Sequence, residues 1–354
     1  MAYKYTHFIP QNIAPKGTKN IGVYNSSGNR VFEIPLGNLA PITKTKLYSF
    51  GLLADIHILH TVANWNPIPK FDNALTYFEN NGCAMCVIAG DLTQAGFYMD
   101  KVENGVTTYY YDEGQFAKYK EICDNHSLPV YELCGNHESM FNKVITDHLD
   151  RLEVYTGKSA LSYTVSSAEK SEKNEQVTEV GNDLFILLGQ PSASQVTSDA
   201  DLEWFGNLLA NNQDRRCFVF VHAYIEEDSG DPLDVRENSI FDYWGTTKTT
   251  AFMNLLRNHN NVILFHGHSH MKFQCQELDI NANYTERNGF KSVHIPSLAT
   301  PRDIDIENNQ SVNDDIGSQG YIVDVYEDCI VLNGMDFINN VPIPLGVFKI
   351  DIHR

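Results

Sequence analysis

The chain has 354 residues and carries 45 Asp and Glu against 26 Lys and Arg, a formal balance of −19 with histidine neutral. With 42% apolar residues, 18 Tyr and 19 Phe, it can build a large core, which excludes disorder as the dominant state and fits one large domain or two smaller ones. The acidic balance argues against sequence-independent binding to nucleic acid or an anionic membrane, which needs a positive footprint, although bound cations can reverse the sign locally for a single phosphate group.

Residues 1–45 are rich in Asn, Gly, Pro and Thr and hold no apolar run of signal-peptide length. Within them Val23-Tyr24 and Val31-Phe32 flank Asn25-Ser-Ser-Gly-Asn29, a hairpin signal. This segment therefore reads as a small N-terminal β appendage or arm, distinct from a domain over 46–354. From Leu47 onward short apolar runs alternate with helical stretches. Strands are expected at Ser49–Ala54, Met85–Ala89, Val130–Cys134, Leu184–Leu188, Phe218–Val221, Val262–Phe265, Val293–Ile295, Tyr321–Val325 and Ile330–Leu332. Helices are expected at Phe71–Asn80, Glu113–Asn125, Ser139–Thr156, Asp199–Asn211, opened by the capping-type Ser198-x-x-Asp201, and Thr247–Asn258. This alternation predicts a layered α/β domain, and the closing strands, with little helix between them, read as the second half of a sheet or sandwich. The polar stretches Ser166–Thr178 and Asn308–Ser318 each read as a solvated loop or hairpin tip. No apolar run is long enough to span a bilayer. The seven cysteines are odd in number and scattered, and Cys83-x-x-Cys86 has no second pair at zinc-site spacing, so they read as reduced structural thiols. A cytoplasmic setting is the expectation.

Five short sequences place metal-ligand residue types immediately after an apolar, strand-like run. They are Leu53-Ala-Asp55-Ile-His57, Ala89-Gly-Asp91-Leu-Thr-Gln94, Cys134-Gly-Asn136-His137-Glu138, Val221-His222-Ala223 and His266-Gly-His268-Ser-His270. Sites in open α/β sheets form outside the carboxyl ends of the strands, and five such ends at one sheet edge would supply a single site. Extended side chains at i and i+2 point to the same side, so Asp55 with His57, and His268 with His270, can act as pairs. Gly90, Gly135 and Gly267 permit a sharp turn and close backbone approach at a crowded centre. Each piece alone has an ordinary reading: a loop pair, a turn, a helix start capped by Asn136, a partly buried histidine. In this order, each at a strand end, they point to a metal site. The donor set of imidazole, carboxylate and one amide, without thiolate, suits Zn, Mn, Fe, Co or Ni better than calcium. A carboxylate shared by two cations is the usual way to hold two metals roughly 3.5–4 Å apart.

The motifs D-x-H, G-D, G-N-H-E, H and G-H-x-H, running from Asp55 to His270 in this order, strongly resemble those of the calcineurin-like metallophosphoesterases, over about residues 47–335. The resemblance implies a four-layer α-β-β-α sandwich with a binuclear metal centre. By position, Asp55, His57 and His270 would hold the first divalent metal ion, Asn136, His222 and His268 the second, and Asp91 would bridge them. His137 matches the family's catalytic histidine, which contacts a phosphate oxygen and can protonate the leaving group, while a metal-bridging hydroxide would be the nucleophile. Gln94 stands where the purple acid phosphatase branch carries a tyrosine ligand, so no tyrosinate-to-iron centre is expected. Ala223-Tyr224 follows His222 where many relatives have proline.

Substrate choice falls to the loops between motifs, namely His60–Pro69, Phe97–Tyr111, Tyr224–Tyr243 and Ala299–Asn313. Arg236 and Arg302 read first as surface residues, with a phosphate contact through their planar forks as the alternative, while the acidic residues of the third loop disfavour a long polyanion. The expected activity is hydrolysis of a small phosphomonoester or phosphodiester. Two alternatives stand beside it. A nuclease of the same fold would need a basic groove, against the −19 balance. A non-catalytic scaffold or binding protein would be expected to have lost some ligands, yet all the candidates and His137 are present. The arm could join a larger assembly or a homo-oligomer. His60, His126, His148, His259, His266, His294 and His353 read as structural or surface residues.

Overall fold

The computed structural model describes residues 20–24, 30–35, 45–59, 66–94, 97–103, 106–111, 113–139, 163–166, 183–190, 199–225, 246–277, 282–286, 288–305 and 310–352. Apart from their end residues, the expected helix Ser139–Thr156 and the stretches Ser166–Thr178 and Tyr224–Tyr243 lie outside this set, as do Ser198, Arg236 and most of residues 1–45 and of His60–Pro69.

The first described element is an antiparallel hairpin of β1 (Asn20–Tyr24) and β2 (Arg30–Pro35), where the hairpin signal placed one. There follow β3 (Lys46–Leu53), a helix Pro67–Asn80, β4 (Cys86–Ile88), a hairpin of β5 (Phe97–Glu103) and β6 (Val106–Tyr111), a helix Glu113–Asp124, and β7 (Val130–Glu132) leading into the short helix Asn136–Ser139. The second half runs β8 (Tyr163–Ser166), β9 (Leu184–Leu187), a helix Asp199–Ala210, β10 (Cys217–Phe220), a helix Thr246–Arg257 and β11 (Val262–His266). It closes with β12 (Tyr284–Thr285), β13 (Lys291–His294), β14 (Arg302–Asp305), β15 (Gln310–Asn313), β16 (Gln319–Tyr326), β17 (Cys329–Asp336) and β18 (Val341–Asp351).

Two six-stranded sheets carry the domain. The first has the order β18-β17-β16-β3-β4-β7 and the second β12-β13-β11-β10-β9-β8. In the first, β3, β4 and β7 run parallel while β16 to β18 are antiparallel; in the second, β9, β10, β11 and β13 run parallel with an antiparallel strand on either edge. The period of two along each strand sorts its side chains into layers. Phe185 and Leu187 of β9, Phe218 and Phe220 of β10 and Ile263 and Phe265 of β11 join Phe50, Leu52 and Val87 of the first sheet in one core between the sheets. The alternate residues Leu184, Ile186, Cys217, Val219, Val262 and Leu264 face outward, under Phe205 and Leu209 of one helix and Phe252 and Leu256 of another. Phe71, Ala74, Leu75 and Phe78, at i, i+3, i+4 and i+7 of helix Pro67–Asn80, cover the outer face of the first sheet with Phe116 and Tyr119 of helix Glu113–Asp124. The result is helix, sheet, sheet, helix: the expected four layers.

Strands run through both Phe97–Tyr111, expected to be a loop, and Asn308–Ser318, expected to be a solvated loop or hairpin tip. The first is the β5–β6 hairpin, whose aromatic and β-branched content (Phe97, Tyr98, Tyr109, Tyr110, Val106) favours extended structure despite the charges between. The second contributes β15, which pairs with β14. Of that pair, Arg302–Asp305 are all at least partly exposed, so no apolar alternation announces the strand.

Candidate metal centre

The first three motifs sit at the ends of β3, β4 and β7 in the first sheet, and the last two at the ends of β10 and β11 in the second. The expectation of one sheet edge is corrected on this point: the carboxyl ends of two packed sheets meet, and each supplies half of the cluster. Cross-bonds fix the meeting. His268 N–H donates to Asp55 Oδ2 at 3.0 Å, and His137 N–H donates to Asp91 Oδ1 at 2.9 Å. A Cβ on Gly267 would lie 2.7 Å from Asp55 Oδ2, and one on Gly135 would lie 2.5 Å from the Asp91 nitrogen, so glycine at these positions is what lets the loops touch.

Asp55, His57, Asp91, His268 and His270 all have φ between 49 and 71°, the left-handed region that non-glycine residues rarely adopt. Such conformations persist where the surroundings over-determine them, and they cluster at functional sites. Here all five belong to the expected site, and the strained backbone turns their side chains together.

Asp55, His57, Asp91 and His270 form one group whose donor atoms all lie within 4.8 Å of one another, and Asp91, His222 and His268 form a second. Asp91 is common to both. In the first group His270 Nε2 lies 3.1 Å from Asp55 Oδ1 and His57 Nε2 lies 3.7 Å from Asp91 Oδ2. In the second, His222 Nε2 lies 3.1 Å from Asp91 Oδ2 and 2.9 Å from Asn136 Oδ1. The eighth expected residue, His137, has its Nε2 at 3.8 Å from Asp91 Oδ2 and its ring centroid 4.5 Å from that of His57. All eight are thus brought together. His137 and His268 are partly exposed and the other six are buried.

Burial alone would push the Asp55 and Asp91 carboxyls up, but the surrounding imidazoles, led by His270 for Asp55 and His222 for Asp91, hold both below the usual carboxylate range. Burial and neighbouring imidazoles push His57 well down and His268 down to about 3, leaving both rings neutral. His222 is pulled the other way, up to about 9, because Asp91 and Asp55 outweigh its burial. Carboxylates strong enough to hold a proton on a fully buried ring also form a strong cation trap.

The donor set fits metal ions. His57 Nε2 and His270 Nε2 face each other at 3.0 Å, and His222 Nε2 and His268 Nδ1 do so at 3.2 Å. Each pair can share at most one proton, and two lone pairs at that distance repel unless a cation lies beside them. Asp55 Oδ1 is buried in the same space, 3.1 Å from His270 Nε2 and 3.9 Å from both His57 Nε2 and His222 Nε2. The opposite ring nitrogens are already used: His222 Nδ1 lies 2.8 Å from the Ala89 carbonyl and His270 Nδ1 lies 3.1 Å from Thr300 Oγ1, contacts that orient ligating imidazoles.

Several supports carried no motif of their own. Ser297 Oγ donates to the Asp55 carbonyl at 3.0 Å, and Lys70 Nζ donates to the Ala299 carbonyl at 2.5 Å, fixing the segment that holds Thr300 against His270. His137 Nδ1 meets the Gln94 carbonyl.

Comparison with known proteins places the fold. The calcineurin-like phosphoesterase family model matches residues 48–272, more than half of the chain. A dimetal phosphatase from Danio rerio has a similar structure, with a TM-score of 0.53 at 13% identity, covering 87% of this chain and 100% of that one. Purple acid phosphatase from yellow lupin (Lupinus luteus) seeds gives 0.54 at 14% identity, over 94% of this chain and 59% of that one. GAP50, the anchor in the inner membrane complex of Plasmodium, gives 0.53 at 11% identity, over 88% and 90%. At these identities the likeness to the three structures is one of fold. No curated protein matches the sequence. The family match encloses every motif from Asp55 to His270, and on that match the chain belongs to the calcineurin-like phosphoesterases.

Proposed function

We propose that the protein is a metal-dependent hydrolase of a small phosphomonoester or phosphodiester. The observation that carries this reading is the shared carboxylate: Asp91 belongs to both donor groups, as one residue would between two cations. Asp55, His57 and His270 would hold one divalent ion and Asn136, His222 and His268 the other. Bound there, such a pair lowers the pKa of a water, orients the phosphoryl group and neutralises charge developing in an in-line displacement.

The chain's own contribution is orientation and proton transfer. His137 Nδ1–H donates to the Gln94 carbonyl, which leaves Nε2 as the nitrogen that faces the site and can give or accept a proton. With 20% of its side chain exposed, His137 can reach a phosphate oxygen or a leaving group from the solvent side. The protein's surplus of acid leaves a single phosphate, rather than a long polyanion, as the partner that a cation pair can draw in. Residues 1–45 act in this reading as an arm beside a domain over 46–354, available for assembly. The likeness to an anchor protein favours a scaffold role instead, but the donor set is complete and argues for catalysis. Among the described residues no helix is long and apolar enough to cross a membrane.

The test uses purified protein with Mn²⁺ on p-nitrophenyl phosphate and its bis ester. His137→Ala should lower turnover by about 10²–10⁴-fold, the usual contribution of a positioned acid or base, and Asp91→Asn should remove most activity. If wild type and His137→Ala are equally inert with several metals and esters, the enzymatic reading fails.

A further inference from the structure

Ser269 stands between His268 and His270 and is buried. Its hydroxyl oxygen lies 2.7 Å from Nε2 of His294, the last residue of β13, which runs beside β11. The turn around Ser269 is strained. Ser269 N–H donates to the Gly267 carbonyl at 2.9 Å, closing a three-residue turn about His268, whose φ is 71°. This left-handed γ-turn is the rare and unfavourable kind. His270 follows at φ 62°. The turn needs outside support to stay as it is. Main-chain bonds hold its two ends, from His268 N–H to Asp55 Oδ2 at 3.0 Å and from Arg302 N–H to the His270 carbonyl at 2.7 Å. The Ser269–His294 bond grips its middle.

His294 is itself well anchored. Its N–H donates to the Asn283 carbonyl at 3.0 Å, its carbonyl accepts from Tyr321 Oη at 3.2 Å, and its ring lies 5.6 Å from that of His266. Its Nδ1 is buried with no hydrogen-bond partner. A position that needed only bulk would take Phe or Leu and strand no polar nitrogen. What the imidazole provides here is a rigid partner for Ser269.

We propose that Ser269 and His294 are positioning residues: the Oγ–Nε2 hydrogen bond holds the strained Gly267–His270 turn in the shape that sends His268 to one metal group and His270 to the other. The proposal rests on the metal-site reading above. Removing support behind a ligand typically weakens metal binding by roughly 10–100-fold. Ser269→Ala should therefore lower Mn²⁺ affinity by about that factor in a calorimetric titration, with turnover recovered at saturating Mn²⁺. Ser269→Thr, which keeps the hydroxyl, should restore the affinity. His294→Phe should repeat the loss, and the double variant should lose no more than either single one, since both remove the same bond. A merely structural role would lower the melting temperature of the metal-free protein without moving the Mn²⁺ affinity. Ser269→Ala removes one oxygen and keeps the test readable if His294→Phe does not fold. Wild-type affinity in Ser269→Ala would overturn the proposal and leave the metal site standing. Failure of the wild type to bind any of Mn²⁺, Zn²⁺, Fe²⁺, Co²⁺ and Ni²⁺ would overturn the metal reading and this proposal together.

Discussion

Glu138, the last letter of the G-N-H-E motif, is completely buried and ties two site loops together. Its Oε1 accepts from Thr93 N–H at 2.8 Å and from Thr93 Oγ1 at 3.1 Å, and its Oε2 accepts from Gly135 N–H at 2.9 Å. Thr93 lies two residues after Asp91 and Gly135 one before Asn136, so one carboxylate sets the spacing of a shared ligand and a second-group ligand. Glu138→Gln offers an amide whose NH₂ must face one of these backbone donors in either orientation. A buried donor left without an acceptor costs about 1–3 kcal/mol, and denaturant unfolding of the metal-free variant should show a loss in that range. An unchanged midpoint would mean that the two loops hold their spacing without Glu138. The eight site residues were legible because each follows an apolar run, although the same-side pairing expected of an extended chain fails, since Asp55, His57, His268 and His270 are all left-handed and His268 and His270 join different groups. The roles of Glu138, Thr300 and the Ser269–His294 pair were not, because each depends on which distant segments the fold brings side by side. His57 and His270, 3.0 Å apart, are separated by 213 positions in sequence.

Helix Pro67–Asn80 shows the same limit one level up. Its apolar face was legible from the i, i+3, i+4, i+7 spacing, but its polar latch to the segment after helix Glu113–Asp124 was not. Both ring nitrogens of His126 meet carboxylates of this helix, Nδ1 with Glu79 Oε2 at 3.0 Å and Nε2 with Asp72 Oδ1 at 3.1 Å. Glu79 Oε1 also accepts from Ser127 N–H at 2.6 Å and Leu128 N–H at 3.1 Å. Burial pulls His126 down, but the two carboxylates outweigh it and raise its pKa above the ordinary 6.5. Burial pushes Glu79 up, but its bonds to His126, Ser127 and Leu128 bring it below the ordinary 4.5. A raised histidine stabilises fully below 6.5 and loses that contribution as pH climbs through its folded value; a lowered carboxylate stabilises above 4.5 and loses it as pH falls through its own. The latch is therefore strongest between these two values, and modest because its carboxylates are largely solvated. The melting-temperature gap between wild type and His126→Ala should be wider near about pH 5.5 than near about pH 8.5. A gap of equal width at both would mean that the ring contributes packing rather than charge. Among strands, β9, β10 and β11 stood out because both faces are buried and the runs are continuously apolar, whereas β14 offers one apolar residue, Ile304, to the small cluster of Met271, Cys275 and Ala282 and carries no such pattern.

Across the whole molecule the two sheets are fastened at opposite ends by different chemistry. At the carboxyl ends of the parallel strands lies the Asp and His cluster. At the other end Asp183 and Arg216, the residues just before β9 and β10, form a buried two-pronged pair, with Nε to Oδ1 at 3.0 Å and Nη2 to Oδ2 at 2.6 Å. Tyr48 of β3 donates its hydroxyl to Asp183 Oδ2 at 2.7 Å, and Arg216 Nη1 donates to the carbonyl of Tyr326 at the end of β16, at 2.6 Å. The pair in the second sheet therefore bonds to two strands of the first. Cutting one partner from a buried ion pair leaves the other charge uncompensated, which costs about 3–5 kcal/mol. Arg216→Met should lose that much in denaturant unfolding, at an unchanged dependence on denaturant if the rest of the fold is intact. Replacing both partners, as in Arg216→Met with Asp183→Leu, removes the stranded charge and should recover much of the loss. The cluster end should feel neither change, so Mn²⁺ affinity per folded molecule should stay at the wild-type value. A double variant as unstable as Arg216→Met would show that the hydrogen bonds to Tyr48 and Tyr326, rather than charge balance, hold the sheets at this end.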